Sequence, residues 1–313
     1  MAGSGLLSPM NIVKKIAPHK LAARPAPRWV PQAMRAKIEN AGQSLGRIGP
    51  LEVRLSNGAK ELKMSQRLRY EVFYEEMSAI ADTPTQFSRL DRDNYDPICD
   101  HLLVVDHDSQ VRKKPFSKAK PQIVGTYRLL RQELAELNGG FYTAGEFDIQ
   151  RIIDRHSDLN FLELGRSCVL KPYRTKKTVE LLWHGIWSYV LTHNVDVMIG
   201  CASIEGTDPD RLAEQLSFLH HFASAPEEWL VSALSDQYVD MNRMPKELVN
   251  QREALRALPP LIKGYLRIGA YIGDGAVVDH QFGTTDVLII LPVSKLNSRY
   301  VNYYGADASR YAS

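Results

Sequence analysis

Glu163-Leu164-Gly165-Arg166-Ser167-Cys168-Val169 sets an acid and a base three residues apart inside an otherwise apolar run that ends at Pro172. Burying a charge costs several kcal/mol unless it is paired or hydrogen-bonded, so two such residues in a buried strand need a reason. Side chains alternate faces along a strand, which puts Glu163 with Gly165 on one face and Arg166 on the other unless a bulge re-aims the backbone. Gly165 is the expected place for that bulge, because a glycine inside a strand marks a kink or the close approach of another group. Read alone, the pair is a salt bridge at a strand end.

Working outward, residues 161–170 read as a strand, Thr178–Thr192 as a helix and Val195–Ser203 as a strand, a block whose order implies a parallel core. Upstream, Leu51–Ser56 alternates like a first strand, Asn57-Gly58 turns, and Lys60–Tyr74 carries apolar residues at helical spacing up to about Glu76. His101–Asp106 and Gln122–Leu130 are strand-like. Downstream, helical segments are expected across 208–222 and 244–256, then a helix over Pro259–Ala270 and strands at Ala276–Val278 and Asp286–Val293. The expected fold class is α/β, with a central mixed, partly parallel sheet flanked by helices and a helical insertion at about 208–257.

Composition frames this body. The 313 residues are 44% hydrophobic, with no apolar run near the ~20 residues that a membrane helix needs. Cys99, Cys168 and Cys201 show neither an even framework nor CxxC spacing, which fits a reducing cytoplasm better than secretion; no metal site is read, and no signal peptide. Charge is uneven: residues 1–50 hold eight Lys or Arg against Glu39 alone, a balance of +7 in a chain whose total is +3, so the remainder carries −4. Residues 1–48 therefore read as a basic Ala/Pro-rich arm, 49–305 as the folded domain and 306–313 as a tail. Trp29, Val30 and a short amphipathic helix over Gln32–Glu39 suit an anionic membrane surface, such as the cytoplasmic face of the inner membrane; a plain tail is the other reading. Nucleic acid is not an expected partner, because no groove-reading motif follows.

Further polar residues interrupt the core elements. Arg69-Tyr70-Glu71-Val72-Phe73 lies on the first long helix, Asp93-Asn94-Tyr95-Asp96 precedes the strand at His101, and Gly125-Thr126-Tyr127-Arg128-Leu129-Leu130 embeds an arginine in a strand. Acids and arginines recurring in several core elements indicate a shared polar cleft. In order and spacing, Arg69-x-x-x-Phe73, Asp93-x-Tyr95-Asp96, the Arg128 strand and Glu163-x-x-Arg166 resemble the acyl-homoserine-lactone (autoinducer) synthases, a branch of the GNAT acyltransferase superfamily. With Cys99-Asp100-His101-Leu102 and Pro259-Pro260-Leu261-Ile262-Lys263-Gly264-Tyr265-Leu266-Arg267 added, the chain is more similar to the bacterial L-ornithine N-acyltransferases that begin ornithine-lipid synthesis.

That resemblance implies a GNAT-like fold and transfer of a 3-hydroxyacyl chain from acyl carrier protein to the α-amino group of ornithine. No resident cofactor is implied; the carrier's phosphopantetheine arm is the donor. For thioester aminolysis a base takes the amine proton and N–H groups hold the oxyanion. Glu163 is the first candidate to position and deprotonate the amine, with Arg166 orienting it and depressing its pKa. His101 is the alternative base. The GNAT pyrophosphate loop is replaced by Arg174-Thr175-Lys176-Lys177-Thr178-Val179, without its glycines, so Arg174, Lys176 and Lys177 are expected to meet a carrier protein rather than coenzyme A. The cationic loop Arg112–Lys120 is a second docking patch. On the acceptor side, Lys263 and Arg267, four apart on one helix face, would clamp the carboxylate. Asp93, Asp96, Asp279 or Asp286 would answer the δ-ammonium, and Arg69 and Arg128 belong to the same cleft. Trp183 and Trp187 line an acyl tunnel or are plain core. Other acceptors (glycine, glutamine, S-adenosylmethionine) and a non-enzymatic carrier-binding adaptor remain open at this stage.

Overall fold

Apolar alternation resolves into eight strands: β1 (Ser44–Ile48), β2 (Leu51–Leu55), β3 (Asp100–Asp106), β4 (Gln122–Arg131), β5 (Phe161–Val169), β6 (Val197–Glu205), β7 (Tyr271–Asp279) and β8 (Thr284–Pro292). They form one sheet in the order β1-β2-β3-β4-β5-β6-β8-β7. The helices are α1 (Ala59–Tyr70), α2 (Thr83–Ser88), α3 (Gln132–Glu136), α4 (Gln150–Arg155), α5 (Lys176–Thr192), α6 (Ala213–Ala223), α7 (Gln251–Ala257) and α8 (Pro260–Ile268). The computed structural model describes residues 44–109 and 121–296. The arm up to residue 43, with Trp29, Val30 and the Gln32–Glu39 helix, the Arg112–Lys120 loop and the 306–313 tail lie outside the described residues.

The mixed sheet and its parallel core are as expected: β5 and β6 pair in parallel, connected through α5, and the remaining neighbours are antiparallel. The parallel pairing runs only from Phe161↔Val197 to Glu163↔Ile199, although each strand continues for nine residues. The two strands therefore part just beyond Glu163. On its other edge, β5 carries one extra residue between the pairs Thr126↔Cys168 and Arg128↔Gly165. This is the expected bulge, but the left-handed backbone falls on Arg166 (φ 49°) rather than on Gly165.

Gly200 shows why the strands stay close at the point of parting. A Cβ there would sit 2.3 Å from the Leu164 carbonyl oxygen, a main-chain atom that cannot swing aside. Gly200→Ala is expected to lower stability by about 1–3 kcal/mol, read from the midpoint of urea denaturation.

Alternation sorts the core into two layers. Leu130, Phe161, Val197, Ile199, Leu288 and Ile290 pack with Phe141, Phe147, Ile152 and Trp229 on one face. Leu129, Leu162, Leu164, Met198 and Ile289 belong to the larger cluster that includes residues of α5, α6 and α8. Arg128 and Glu163 share the first face by their parity with Leu130 and Phe161. Helix α5 is capped by the Thr175 hydroxyl, which accepts from the Thr178 N–H at 3.4 Å.

Several boundaries differ from expectation for identifiable reasons. Ser44–Ile48, placed in the arm, is an edge strand against β2. The first helix leaves α geometry at Glu71 and continues as a π-helical turn to Glu76. β7 is longer than Ala276–Val278; the register shift between Ile272 and Ala276, with Gly275 at φ 76°, breaks the alternation on which the sequence reading relied. The 208–257 insertion holds only α6 and α7 as α-helices, and Asn250 caps the latter by accepting from Glu253 N–H. Its intervening chain adds single bridges at Ser224↔Ile272, Ser232↔Asp274 and Val239↔Ala276, which cover the exposed edge at β7. Among the described residues, no helix is long and apolar enough to cross a membrane.

Candidate active site

Three arginines and three aspartates interlock above β4 and β5. Arg69, at the end of α1, is fully buried. Its Nε donates to Asp91 Oδ2 (2.7 Å), and its Nη2 donates to the Asp91 carbonyl (2.5 Å) and to Asp96 Oδ2 (2.8 Å). Gln66 donates to the same Asp96 oxygen at 2.9 Å. Arg128 Nη1 donates to both oxygens of Asp93, at 2.7 and 2.6 Å. Arg166 stands 3.4 Å from Asp91 and 3.4 Å from Asp93. Burial pushes the Asp96 carboxyl up, but Arg69, Gln66 and Arg128 together outweigh it and hold the group below the usual carboxylate range. Arg69, Asp93, Asp96, Arg128 and Arg166 are thus brought together. Asp91 was missed; it is the first acid of Asp91-Arg92-Asp93-Asn94-Tyr95-Asp96, and that density of acids was the available signal.

His101 lies beneath this network, opposite Arg128 in the β3–β4 pairing. Its Nε2 is 3.0 Å from the Asp96 carbonyl, which makes that nitrogen the donor, while the buried Nδ1 has no hydrogen-bond partner among the described residues. Burial lowers its pKa, so the ring is held neutral.

Glu163 is only 4% exposed. Its carboxylate accepts from the Tyr142 N–H (2.8 Å) and the Thr143 N–H (3.3 Å), at the start of the short 3₁₀ turn Tyr142–Gly145. The expected pairing with Arg166 is not seen among the described residues: Arg166 turns to Asp91 and Asp93, and Glu163 faces main-chain donors. The expected depression of its pKa is reversed as well. Burial pushes Glu163 up to about 7, outweighing the opposing pull of Arg128 and of the two N–H groups. The Arg166 guanidinium is sandwiched between Tyr142 and Phe282, 5.0 Å from each ring centre, and Arg128 lies over Tyr95 and Tyr142 at 5.5 and 5.6 Å.

Beside this group opens a cavity of about 390 Å³ lined by Tyr95, Tyr142, Gly145, Glu146, Gln237, Val277, Val278, Asp279 and His280. One carboxylate oxygen each of Glu146, Asp279 and Asp286 lies within 4.8 Å of the other two. Burial and the neighbouring Asp286 push Glu146 up to about 7, and burial pushes Asp286 up to about 6. Glu146 Oε2 is buried without a hydrogen-bond partner among the described residues, whereas Asp286 accepts from the Thr284 hydroxyl (2.8 Å) and Asp279 from the N–H groups of Gln281 and Phe282. Three crowded carboxylates of this kind suit a cationic group. Asp93 and Asp96, by contrast, already have arginine partners. Glu146 was missed because it sits on an irregular segment with no motif around it.

The remaining expected residues lie elsewhere. Arg174 binds Glu76 through both ends of its fork (2.5 and 2.8 Å) and donates to the Val169 carbonyl. Lys176 is 3.5 Å from Glu180, and Lys177 is exposed at the start of α5. Lys263 donates to the Arg256 carbonyl at 3.0 Å. The Tyr265 hydroxyl, on the same helix α8, is 3.1 Å from that of Tyr127, whose side chain leaves β4 on the face opposite Arg128. Lys263 and Arg267 are therefore not brought to the Glu163 cleft. Trp183 stacks edge-on to Tyr265 on that opposite side, and Trp187 is buried.

Residues 68–184 match the family model described as an acetyltransferase (GNAT) domain. The chain is 54% identical over 279 residues to the L-ornithine N(alpha)-acyltransferase of Rhizobium meliloti (strain 1021), covering 89% of this chain and 92% of that protein. It is 51% identical over 282 residues to the protein of the same name from Brucella abortus (strain 2308), covering 90% and 98%. The chain belongs to the L-ornithine N(alpha)-acyltransferase family. It is an acyltransferase with a GNAT-like fold. Among solved structures, FeeM, an N-acyl amino acid synthase from uncultured soil microbes, aligns with a TM-score of 0.43 at 10% identity over 78% of this chain and 91% of that one. Within this acyltransferase, Arg69, Arg128, Glu163 and Arg166 lie inside the matched GNAT range, whereas Asp279 and Asp286 come from the β7–β8 hairpin beyond it.

Proposed function

We propose that the protein transfers a 3-hydroxyacyl chain from acyl carrier protein to the α-amino group of L-ornithine, giving lyso-ornithine lipid. The names of its relatives supply the acceptor, and the observation that carries it here is the cavity lined by Glu146 and Asp279, with the buried Asp286 clustered against them and Tyr142 linking its wall to Glu163. Ornithine presents a second ammonium beyond the attacking amine. An ammonium inside the cavity relieves the mutual repulsion of the three acids and returns Glu146 and Asp286 towards their ordinary ionised state.

At the reacting end, the α-amine nitrogen attacks the thioester carbonyl carbon. The C–N bond forms as the amine proton passes to the Glu163 carboxylate, the C–S bond breaks, and that proton is passed on to the carrier's sulfur, which leaves as the thiol and restores the carboxylate. A base with a pKa of about 7 is suited to taking that proton at neutral pH. In this reading, main-chain N–H groups at the point where the β5–β6 pairing stops serve as the oxyanion donors. The same gap admits the phosphopantetheine arm. Lys176 and Lys177, exposed in the first turn of α5, face the acidic carrier, and Arg174, held by Glu76, braces the loop before it. The reaction belongs to the cytoplasm, with the basic arm drawn to the anionic inner face of the membrane.

Release of free thiol from 3-hydroxyacyl carrier protein, measured with a panel of amino acids, tests this reading. Ornithine is expected to be used best, and added salt to weaken the carrier's KM. Glycine, glutamine or S-adenosylmethionine used equally well contradicts the acceptor, and no release with any amine leaves only a carrier-binding adaptor. Glu146→Gln is expected to raise the KM for ornithine about tenfold or more with less effect on kcat, since a desolvated charge partner of the δ-ammonium is lost.

A further inference from the structure

We infer that Arg166 receives the α-carboxylate of the amino-acid acceptor, so that the enzyme selects an amino acid over the corresponding plain diamine. The inference rests on the ornithine reading above and assigns the one acceptor group which that reading leaves without a partner.

The backbone is bent to present this side chain. Regular alternation would turn Arg166 away from Glu163, but the bulge in β5 holds it at φ 49°, a conformation rare for any residue but glycine. Its guanidinium is then fixed between Tyr142 and Phe282. Both rings belong to the acceptor region: Tyr142 lines the cavity and gives its N–H to Glu163, and Phe282 gives its N–H to Asp279. Arg166 thus packs against two residues that bound the acceptor region, within reach of a carboxylate branching from the α-carbon that carries the attacking amine.

Its existing partners leave it capacity. Asp91 and Asp93 each have a nearer cation, Arg69 at 2.7 Å and Arg128 at 2.6 Å, while both are 3.4 Å from Arg166. The Nε of Arg166 faces Asp91 and its Nη2 faces Asp93, each at 3.4 Å and so longer than a strong charged hydrogen bond, and 15% of the side chain remains open. A rigid, planar fork that holds its aspartates at long range and keeps an open side is suited to a carboxylate. Lys263 and Arg267 lie across the sheet and do not compete for this role.

The test compares L-ornithine with 1,4-diaminobutane, which keeps both amines and lacks the carboxylate. The wild-type protein is expected to use the diamine at least 30-fold less efficiently in kcat/KM, the worth of a charged hydrogen-bonded pair. Arg166→Gln is expected to raise the ornithine KM by a similar factor and to reduce diamine turnover far less, so that the specificity ratio shrinks at least tenfold. Arg166→Lys, which keeps the charge without the fork, is expected to fall between. Equal use of the two acceptors by the wild type, or an unchanged ratio in the variants, overturns the assignment while leaving ornithine as acceptor intact. The wild-type comparison stands even if a variant does not fold. Failure of the wild type to use ornithine at all sinks the acceptor reading itself.

Discussion

Replacing Glu163 with glutamine is expected to lower kcat for acyl transfer by about 10²–10⁴-fold while leaving the protein folded. Glutamine keeps the shape and one oxygen to accept from the Tyr142 N–H, the shorter of the two bonds, but it loses the oxygen that accepts from the Thr143 N–H at 3.3 Å and it cannot take a proton. The pH dependence follows from the same burial. With a pKa of about 7, wild-type kcat should rise with pH and level off above neutrality, and the variant's residual rate should not follow that curve. For stability the sign is opposite. A carboxyl whose folded pKa is raised binds its proton more tightly when folded, so its stabilising contribution is full below the unfolded value near 4.5 and is lost as pH rises to about 7. Glu146 and Asp286 are shifted in the same direction. Glu163→Gln should accordingly be at least as stable as the wild type at pH 8 in thermal denaturation. A variant retaining a tenth or more of the wild-type rate removes Glu163 from proton transfer and leaves it as an organiser of the Tyr142 turn.

Arg69→Met is expected to cost about 3–5 kcal/mol of folding stability, the typical loss when one partner of a buried ion pair is removed. Arg69 joins two chain segments, because its guanidinium is the shared partner of the Asp91 and Asp96 side chains and of the Asp91 carbonyl. Methionine fills much of the volume but leaves both carboxylates short of a cation, and Arg128 at 3.5 Å reaches only one Asp96 oxygen. Urea denaturation of Arg69→Met, Asp96→Asn and the double variant gives the coupling directly: the double variant should lose well under the sum of the single losses. A loss below about 1 kcal/mol for Arg69→Met means that water reaches the network and that the arginine contributes little.

The strand–helix–strand block and the residues Arg69, Asp93, Asp96, Arg128, Glu163 and Arg166 were legible because polar residues in apolar runs stand out at strand and helix period. Their pairing was not. One inserted residue in β5 moves Arg166 to the Glu163 face, yet it pairs with aspartates that lie 73 and 75 positions earlier, a long-range contact that local spacing does not encode. Lys263 and Arg267 illustrate a second limit: a spacing of four fixes a common helix face but not which side of a sheet that helix covers. Glu146 and Tyr142 were invisible for a third reason. They sit on a short irregular segment whose importance comes from its N–H groups reaching Glu163, and main-chain donors leave no signature in side-chain pattern.

The most direct measurement of acyl transfer to ornithine uses the purified protein, a 3-hydroxyacyl carrier protein and L-ornithine labelled with ¹⁵N at the α position, followed by fragmentation of the product in a mass spectrometer. The expected product carries the 3-hydroxyacyl group in amide linkage to the labelled nitrogen, forms in step with release of carrier thiol, and is lost with Glu163→Gln. Acylation of the unlabelled δ-nitrogen, or thiol release without an ornithine amide, contradicts it.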